Sequence, residues 1–321
     1  MPSPPAPLRI LLLGCHGQVG TALSSRLPAL GEVIALGRAQ ADFAQPATLR
    51  NIVLAQRPDI IVNAAAYTAV DRAETEPALA RAVNTDSPGV LARAARELDA
   101  LVVHYSTDYV FDGRKPTPYV EDDATAPQSV YGRTKRDGED AVRAAGGRHL
   151  ILRTSWVYAA HGHNFVQTML RLAREREVLR VVADQFGAPT SADTIADVTT
   201  TCLTELIGNP ERSPAATGTY HLTALGWTSW HGLATAAIEQ VRRSAGVDNL
   251  KVRTIDAITT ADYPLPAPRP ANSRLCCDKL RDRFGVTLPD WRDELARVVQ
   301  ASMRTHGRRW TATPRRAPTI S

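Results

Sequence analysis

Tyr131 and Lys135 stand four residues apart and are the pair in this chain best suited to chemistry. At that spacing both side chains share one face of a helix. A free phenol ionises near about pH 10, too high for ready proton exchange at neutral pH. A neighbouring ammonium favours the phenolate and lowers that value, so Lys135 is expected to make Tyr131 a usable acid. Upstream, an apolar run ends in His104, Tyr105, Ser106, Thr107 and Asp108, which brings hydroxyls and a carboxylate to one point. The set implies reduction of a carbonyl. Tyr131 would donate the proton as general acid, Thr107 would polarise the oxygen, and Lys135 would hold the nicotinamide ribose.

A hydride source has its own signal. Gly14, Gly17 and Gly20 are spaced as G-x-x-G-x-x-G directly after the first apolar run. One glycine allows the tight turn, one lets backbone approach a pyrophosphate, and one lets helix pack on strand. The N–H groups opening that helix, at Gln18 and Val19, then face the phosphates. The second strand ends in Leu36, Gly37 and Arg38. No acid stands there to hold a ribose diol, and Arg38 suits a 2′-phosphate, so NADPH is expected, with NADH the alternative. Asp42 and Phe43 are placed to flank the adenine.

These groups need a scaffold of alternating strands and helices. Strands are expected at 8–13, 33–36, 59–63, 101–105 and 149–153, each nearly continuous in apolar residues as strands buried on both faces are. Helices are expected at 18–27, 46–56, 77–98 and 130–144, with Gly89 the weak interior point of the third. The class is α/β, a Rossmann-type doubly wound parallel sheet over 8–157. A smaller substrate-binding lobe is expected over 158–303, with helices at 164–177, 192–207 and 291–303, a strand at 218–222 and a Pro-dense loop at 263–270. The chain is expected to cross back to the sheet near 179–208.

Bulk properties exclude other classes. The net charge of +5 resides in the end of the chain, where 302–321 holds five arginines and no acid, leaving 33 basic against 33 acidic residues elsewhere. A basic tail, 304–321, is expected to be disordered, and no nucleic-acid face is expected. No apolar run is long enough to span a membrane, and the Pro-rich start lacks a secretory pattern, so a cytoplasmic protein is expected. Cys15, Cys202, Cys276 and Cys277 have neither disulfide nor C-x-x-C spacing. His161 and His163 lack nearby ligand partners and read as loop residues.

Taken together, the motifs resemble those of the dTDP-4-dehydrorhamnose reductases within the extended short-chain dehydrogenases. The similarity covers roughly residues 8–300. It rests on Gly17-Gln18-Val19-Gly20, on 62–71 (Val62 to Asp71), on 104–111 and 131–135, and on 153–158, 184–190 and 269–273. The resemblance implies reduction of the 4-keto group of a dTDP-linked 6-deoxy sugar to dTDP-L-rhamnose. It implies that Gly17, Gln18, Val19, Asp42, Phe43, Ala66, Tyr67, Thr68 and Tyr105 line the dinucleotide, with Tyr131 and Lys135. It places Thr107, Asp108 and Trp156 on the sugar, and Arg269 and Asn272 are expected at the diphosphate. Some bacterial members use a first-helix Glu to help bind Mg²⁺ at a dimer contact. Ala22 takes that place here, which argues against a metal, while a homodimer is the protein partner the resemblance suggests. Two rival readings share these motifs: a sister reductase giving another epimer, and a non-catalytic subunit that keeps the dinucleotide pocket. The complete set of Thr107, Asp108, Tyr131, Lys135 and Trp156 favours an enzyme.

Overall fold

The computed structural model describes residues 7–209, 211, 217–245 and 250–305. In chain order the first part runs β1 (Arg9–Leu13), α1 (Gln18–Arg26), β2 (Glu32–Leu36), α2 (Pro46–Gln56), β3 (Ile60–Asn63) and α3 (Val70–Ala73). It continues through α4 (Pro77–Arg81), α5 (Ser87–Glu97), β4 (Leu101–Thr107), α6 (Val130–Ala144) and β5 (His149–Thr154). The second part holds β6 (Val157–Tyr158), α7 (Phe165–Glu175), β7 (Val178–Val182), β8 (Phe186–Gly187), β9 (Thr190–Ser191), α8 (Ala192–Gly208) and β10 (Gly218–His221). It closes with β11 (Thr228–Ser229), α9 (Trp230–Ala245), β12 (Thr254–Ile258), β13 (Asn272–Ser273), α10 (Asp278–Phe284) and α11 (Trp291–Thr305).

Six strands form one parallel sheet in the order β10-β5-β4-β3-β1-β2. Strand β1 shows why it needs cover on both faces. Ile10 and Leu12 point to the side of Leu23 on α1 and Ile195 and Cys202 on α8. Leu11 and Leu13 point to the side of Leu49 and Val53 on α2 and Leu91 on α5. Because β2 and β3 flank β1 on opposite sides, the chain reverses direction across the sheet here. A crevice therefore opens at the carboxyl ends of β1 and β3, where such sheets bind ligands.

Two expectations need correction. The helix expected over 77–98 is interrupted by a π-helical turn, Ala82–Asp86, between α4 and α5. The turn packs closely on α6: a Cβ on Gly138 would fall 2.0 Å from the Asn84 carbonyl oxygen. The strand expected at 218–222 in the second lobe instead completes the main sheet, pairing parallel to β5 from Gly218↔Leu150 to His221↔Arg153. The remaining part gathers α7, α9 and α11 around Val166, Leu170, Leu233, Val241 and Leu295. The paired strands β7 and β12 lie beside it. The expected disordered tail lies outside the described residues except Arg304 and Thr305, which continue α11. Among the described residues, no helix is long and apolar enough to cross a membrane.

Helix α6, which carries Tyr131 and Lys135, is tied to β5 by a buried ion pair. Arg153 grips Glu139 through two parallel bonds of 2.8 and 2.7 Å, and its third nitrogen donates to the Glu121 carbonyl. Neither side chain is more than 4% exposed. Removing one partner strands the other charge. Arg153→Met is thus expected to cost roughly 3–5 kcal/mol in urea unfolding. The pair Glu139→Leu with Arg153→Met should recover most of that loss. A single-variant cost under about 1 kcal/mol, the range of an exposed pair, would contradict this anchoring role.

Candidate active site

Strand β1 turns into α1 through Gly14, whose φ of 78° is costly for residues bearing a Cβ. A Cβ there would also meet the Ala65 nitrogen at 2.6 Å, so the turns after β1 and β3 touch backbone to backbone. At Gly20 a Cβ would come within 2.1 Å of the Gly14 carbonyl, which lets α1 sit tightly on the turn. Gly17 caps α1 with no side-chain acceptor for the first-turn N–H groups. Its own missing Cβ would touch only the Gly14 oxygen, at 3.4 Å. This is a cradle for a phosphate: open space at an uncapped helix start. Val19 packs on the core below it. Gln18 reaches across to accept a hydrogen bond from the Asn164 amide, the cap of α7.

Beyond β2, a Cβ at Gly37 would lie 2.4 Å from the exposed His16 ring, so an acidic side chain there would require that ring to turn away. Arg38 is 80% exposed and lies 3.5 Å from the Asp42 carboxylate. Asp42 also accepts from the Ala44 N–H, while the Phe43 ring is buried with Leu49 and Leu91. After β3, the Ala66 to Thr68 segment is fastened by a residue that sequence reasoning missed. Asn84, in the π turn, accepts from Tyr67 N and donates to Tyr67 O and to the Thr134 hydroxyl of α6. Its signal was the polar run Asn84-Thr85-Asp86-Ser87 inside an expected helix, residue types that compete for backbone bonds.

At the end of β4, Thr107 accepts from Tyr109 N and donates to Asp108 at 3.0 Å. Its hydroxyl is near enough to the Tyr131 phenol to influence its ionisation. Tyr131 sits in the first turn of α6, which Ser129 caps through Gly132 N. The expected activation by Lys135 is corrected here. Burial pushes the Tyr131 phenol up to about 12; the Thr107 hydroxyl opposes the rise and the Asp108 carboxylate adds to it. Lys135, 2% exposed, turns instead to the Tyr105 carbonyl at 2.6 Å and toward His104 Nε2 at 3.4 Å. Shared helical spacing puts the two side chains on one face, but the buried amine goes to the nearest acceptor. The Tyr105 ring turns toward α8 and its hydroxyl pairs with Thr199 at 2.8 Å.

Asp108 is raised to about 6, chiefly by burial, against the lowering influence of the Ser273 and Thr107 hydroxyls. Its Oδ2 is buried without a protein partner. Beside it, Tyr109 meets Tyr131 edge to face at 5.4 Å and borders a cavity of about 810 Å³. Leu179, Val181, Leu265 and Pro268 give that cavity apolar walls, and Gln185 and Arg269 give it polar ones. Arg269 is held by Asp71 at 2.7 Å, while its Nη1 stays buried and unpartnered. Asn272 is spent inside the protein, donating to the Lys115 and Thr117 carbonyls and accepting from Arg274. Trp156, with φ 50°, stacks on Trp230 at 3.5 Å, so one of its faces is already covered. Ala22 is buried against α8, and among the described residues no cluster of three His, Cys, Asp or Glu side chains could hold a metal.

Comparison with known proteins places this geometry in a family. A family model described as the RmlD substrate binding domain matches residues 8–304. A dTDP-4-dehydrorhamnose reductase of Burkholderia thailandensis is 50% identical, over 89% of this chain and 96% of its own. A Streptomyces antibioticus protein, named a probable dTDP-4,6-dihydroxy-2-methyloxan-3-one 4-ketoreductase, is 41% identical over 90% of this chain and 93% of its own. The crystal structure of dTDP-4-dehydrorhamnose reductase from Bacillus anthracis in complex with NADP superposes with a TM-score of 0.80 at 34% identity, covering 91% of this chain and 98% of that one.

The absence of an acid at Gly37 and the open position of Arg38 make a cofactor prediction. Arg38→Ala should weaken NADPH binding by roughly tenfold or more, the size of one lost charge-assisted contact, and leave NADH nearly unchanged. Fluorescence titration with both dinucleotides checks this, and equal losses would remove Arg38 from any phosphate role.

Proposed function

The chain belongs to the dTDP-4-dehydrorhamnose reductase family, and from that premise we propose that it reduces dTDP-4-dehydrorhamnose to dTDP-L-rhamnose, with NADPH as the preferred reductant. The observation that carries the reading is the meeting of Tyr131, at the start of α6, with Tyr109, which borders the cavity and directly follows Thr107 and Asp108 at the end of β4. When bound, a nicotinamide dinucleotide supplies the hydride. The uncapped start of α1 with Gly14, Gly17, Gln18, Val19 and Gly20 fits its pyrophosphate. Arg38 and Asp42 fit the adenosine end, and the Asn84-fastened segment of Ala66, Tyr67 and Thr68 fits its middle.

The chain's own part is proton handling and placement. A phenol held up at about 12 stays protonated at neutral pH, the state a general acid needs before the reaction. Tyr131 Oη would give its proton to the keto oxygen as negative charge grows there. The Thr107 hydroxyl would share that oxygen, stabilising the same charge. The unpartnered Oδ2 of Asp108 is an acceptor waiting for a sugar hydroxyl, since a buried carboxylate oxygen without a donor is costly. Arg269 Nη1 is a free donor on the cavity wall and suits a diphosphate. Trp156 would meet the sugar with the part of its ring that Trp230 and Gly187 leave free.

One second reading has a specific observation behind it. The Streptomyces relative carries the name of a 4-ketoreductase for a different sugar nucleotide at 41% identity. Both names describe reduction of a ketone on a dTDP-linked substrate, so the same proton donor would serve either reaction. Incubation with the 4-keto-6-deoxy sugar nucleotide and NADPH or NADH, with the product epimer read by NMR, separates the two. Rhamnose is the expected product, and another epimer selects the second reading. Tyr131→Phe should lower turnover about 10²–10⁴-fold with little change in dinucleotide affinity. Near-normal turnover would remove Tyr131 from the acid role.

A further inference from the structure

A chain of buried polar side chains runs beneath the site from β3 to α6. It starts at Asn63, 1% exposed, the last residue of β3. The Asn63 Oδ1 accepts from the Ala65 N–H at 3.1 Å, which fixes the amide so that its nitrogen faces His104. Asn63 Nδ2 lies 3.1 Å from His104 Nδ1, and an amide nitrogen only donates. His104 is therefore an acceptor at Nδ1. Burial, the larger cause, keeps the imidazole well below its usual range, hence neutral, so its single proton sits on Nε2. That Nε2 is 3.4 Å from the Lys135 amine.

An N–H aimed at a nitrogen suits a neutral amine, which can accept it, and opposes an ammonium, which cannot. We propose that Asn63 and His104 are positioning residues for Lys135: the asparagine locks the imidazole tautomer, and the imidazole N–H favours the lysine as an uncharged amine in the free protein. This rests on the reading of Lys135 as part of the reductase site. Other groups around the amine are few. On its own helix Glu139 favours the charged form, but its carboxylate is already gripped by Arg153 of β5 and approached by Arg143. The Tyr131 phenol with Asp108 stands at the start of α6 and the end of β4, and the π turn offers Asn84, which is neutral. Burial works in the same direction as His104, drawing the amine down to about 8. Above about pH 8, a dinucleotide that needs the ammonium would then be bound with uptake of a proton from solvent.

The test needs neither cofactor nor substrate, so its failure is separate from failure of the reductase reading. The chain has only four lysines, Lys115, Lys135, Lys251 and Lys279. With ¹³C-labelled lysine, four Cε signals can be followed against pH in the free protein, Lys135 being the one lost in Lys135→Arg. The wild type should show Lys135 titrating well below the other three. Asn63→Asp would accept a proton from His104 Nδ1 and leave Nε2 as a lone pair facing the amine. Asn63→Ala would release the tautomer without adding charge. Both should raise the Lys135 midpoint, Asn63→Asp by about one unit or more. Imidazole ¹⁵N shifts should show the Nε2–H tautomer in the wild type and Nδ1–H in Asn63→Asp. A folded Asn63→Ala whose Lys135 midpoint has not moved would overturn the proposal. Should neither variant fold, an Nδ1–H tautomer in the wild type would overturn it alone.

Discussion

Exclusion of water at the carboxyl ends of β3 and β4 is the constraint on which the site depends. Asn63, His104, Thr107, Asp108 and Lys135 are each no more than 5% exposed, yet all are polar or ionisable. A buried polar group without a partner costs about 1–3 kcal/mol, more if charged. Each group must therefore find its partner within a few ångström, and those obligations fix the geometry. Thr107 is held by Asp108 and by the backbone of Tyr109, and Lys135 by the Tyr105 carbonyl. The same exclusion sets the protonation states: the phenol of Tyr131 rises, the amine of Lys135 falls, and the imidazole of His104 stays neutral. A protonated acid one ring away from the cavity follows chiefly from burial.

The sheet makes that burial possible. β1 is covered on both faces, and the reversal of strand order beside it leaves a crevice lined by the turns after β1 and β3. Helix α6 brings Tyr131 to that crevice because the Arg153–Glu139 pair anchors it to β5. Asn84 couples the segment at Tyr67 to the same helix, so the expected cofactor side and the acid side of the site move as one body. The π turn that presents Asn84 is the kind of local departure often found at functional positions.

Much of this was legible in the residues. The glycine turn, the five apolar strands and the Tyr131–Lys135 spacing are local patterns, and local patterns survive into the fold. What stayed hidden depends on partners distant in sequence. Gly218–His221 reads as a strand but does not say which sheet it joins, because its partner β5 lies some seventy residues away. The π turn at Ala82–Asp86 packs against Gly138 of α6, a contact no periodicity encodes. The i, i+4 rule placed Tyr131 and Lys135 on one face, yet the direction of the amine was decided by the Tyr105 carbonyl on β4. Asn272 looked available for a ligand until the loop carbonyls of Lys115 and Thr117 claimed its amide.

The most direct measurement of the central claim is the ionisation of the Tyr131 phenol itself. Tyrosine labelled with ¹³C at Cζ gives signals from eight residues, and Tyr131 is identified by its loss in Tyr131→Phe. If burial governs the site, the Tyr131 signal should remain that of a neutral phenol past about pH 10, the ordinary midpoint, and change only near about 12. A midpoint below that ordinary value would mean that a nearby positive charge, not water exclusion, controls the acid.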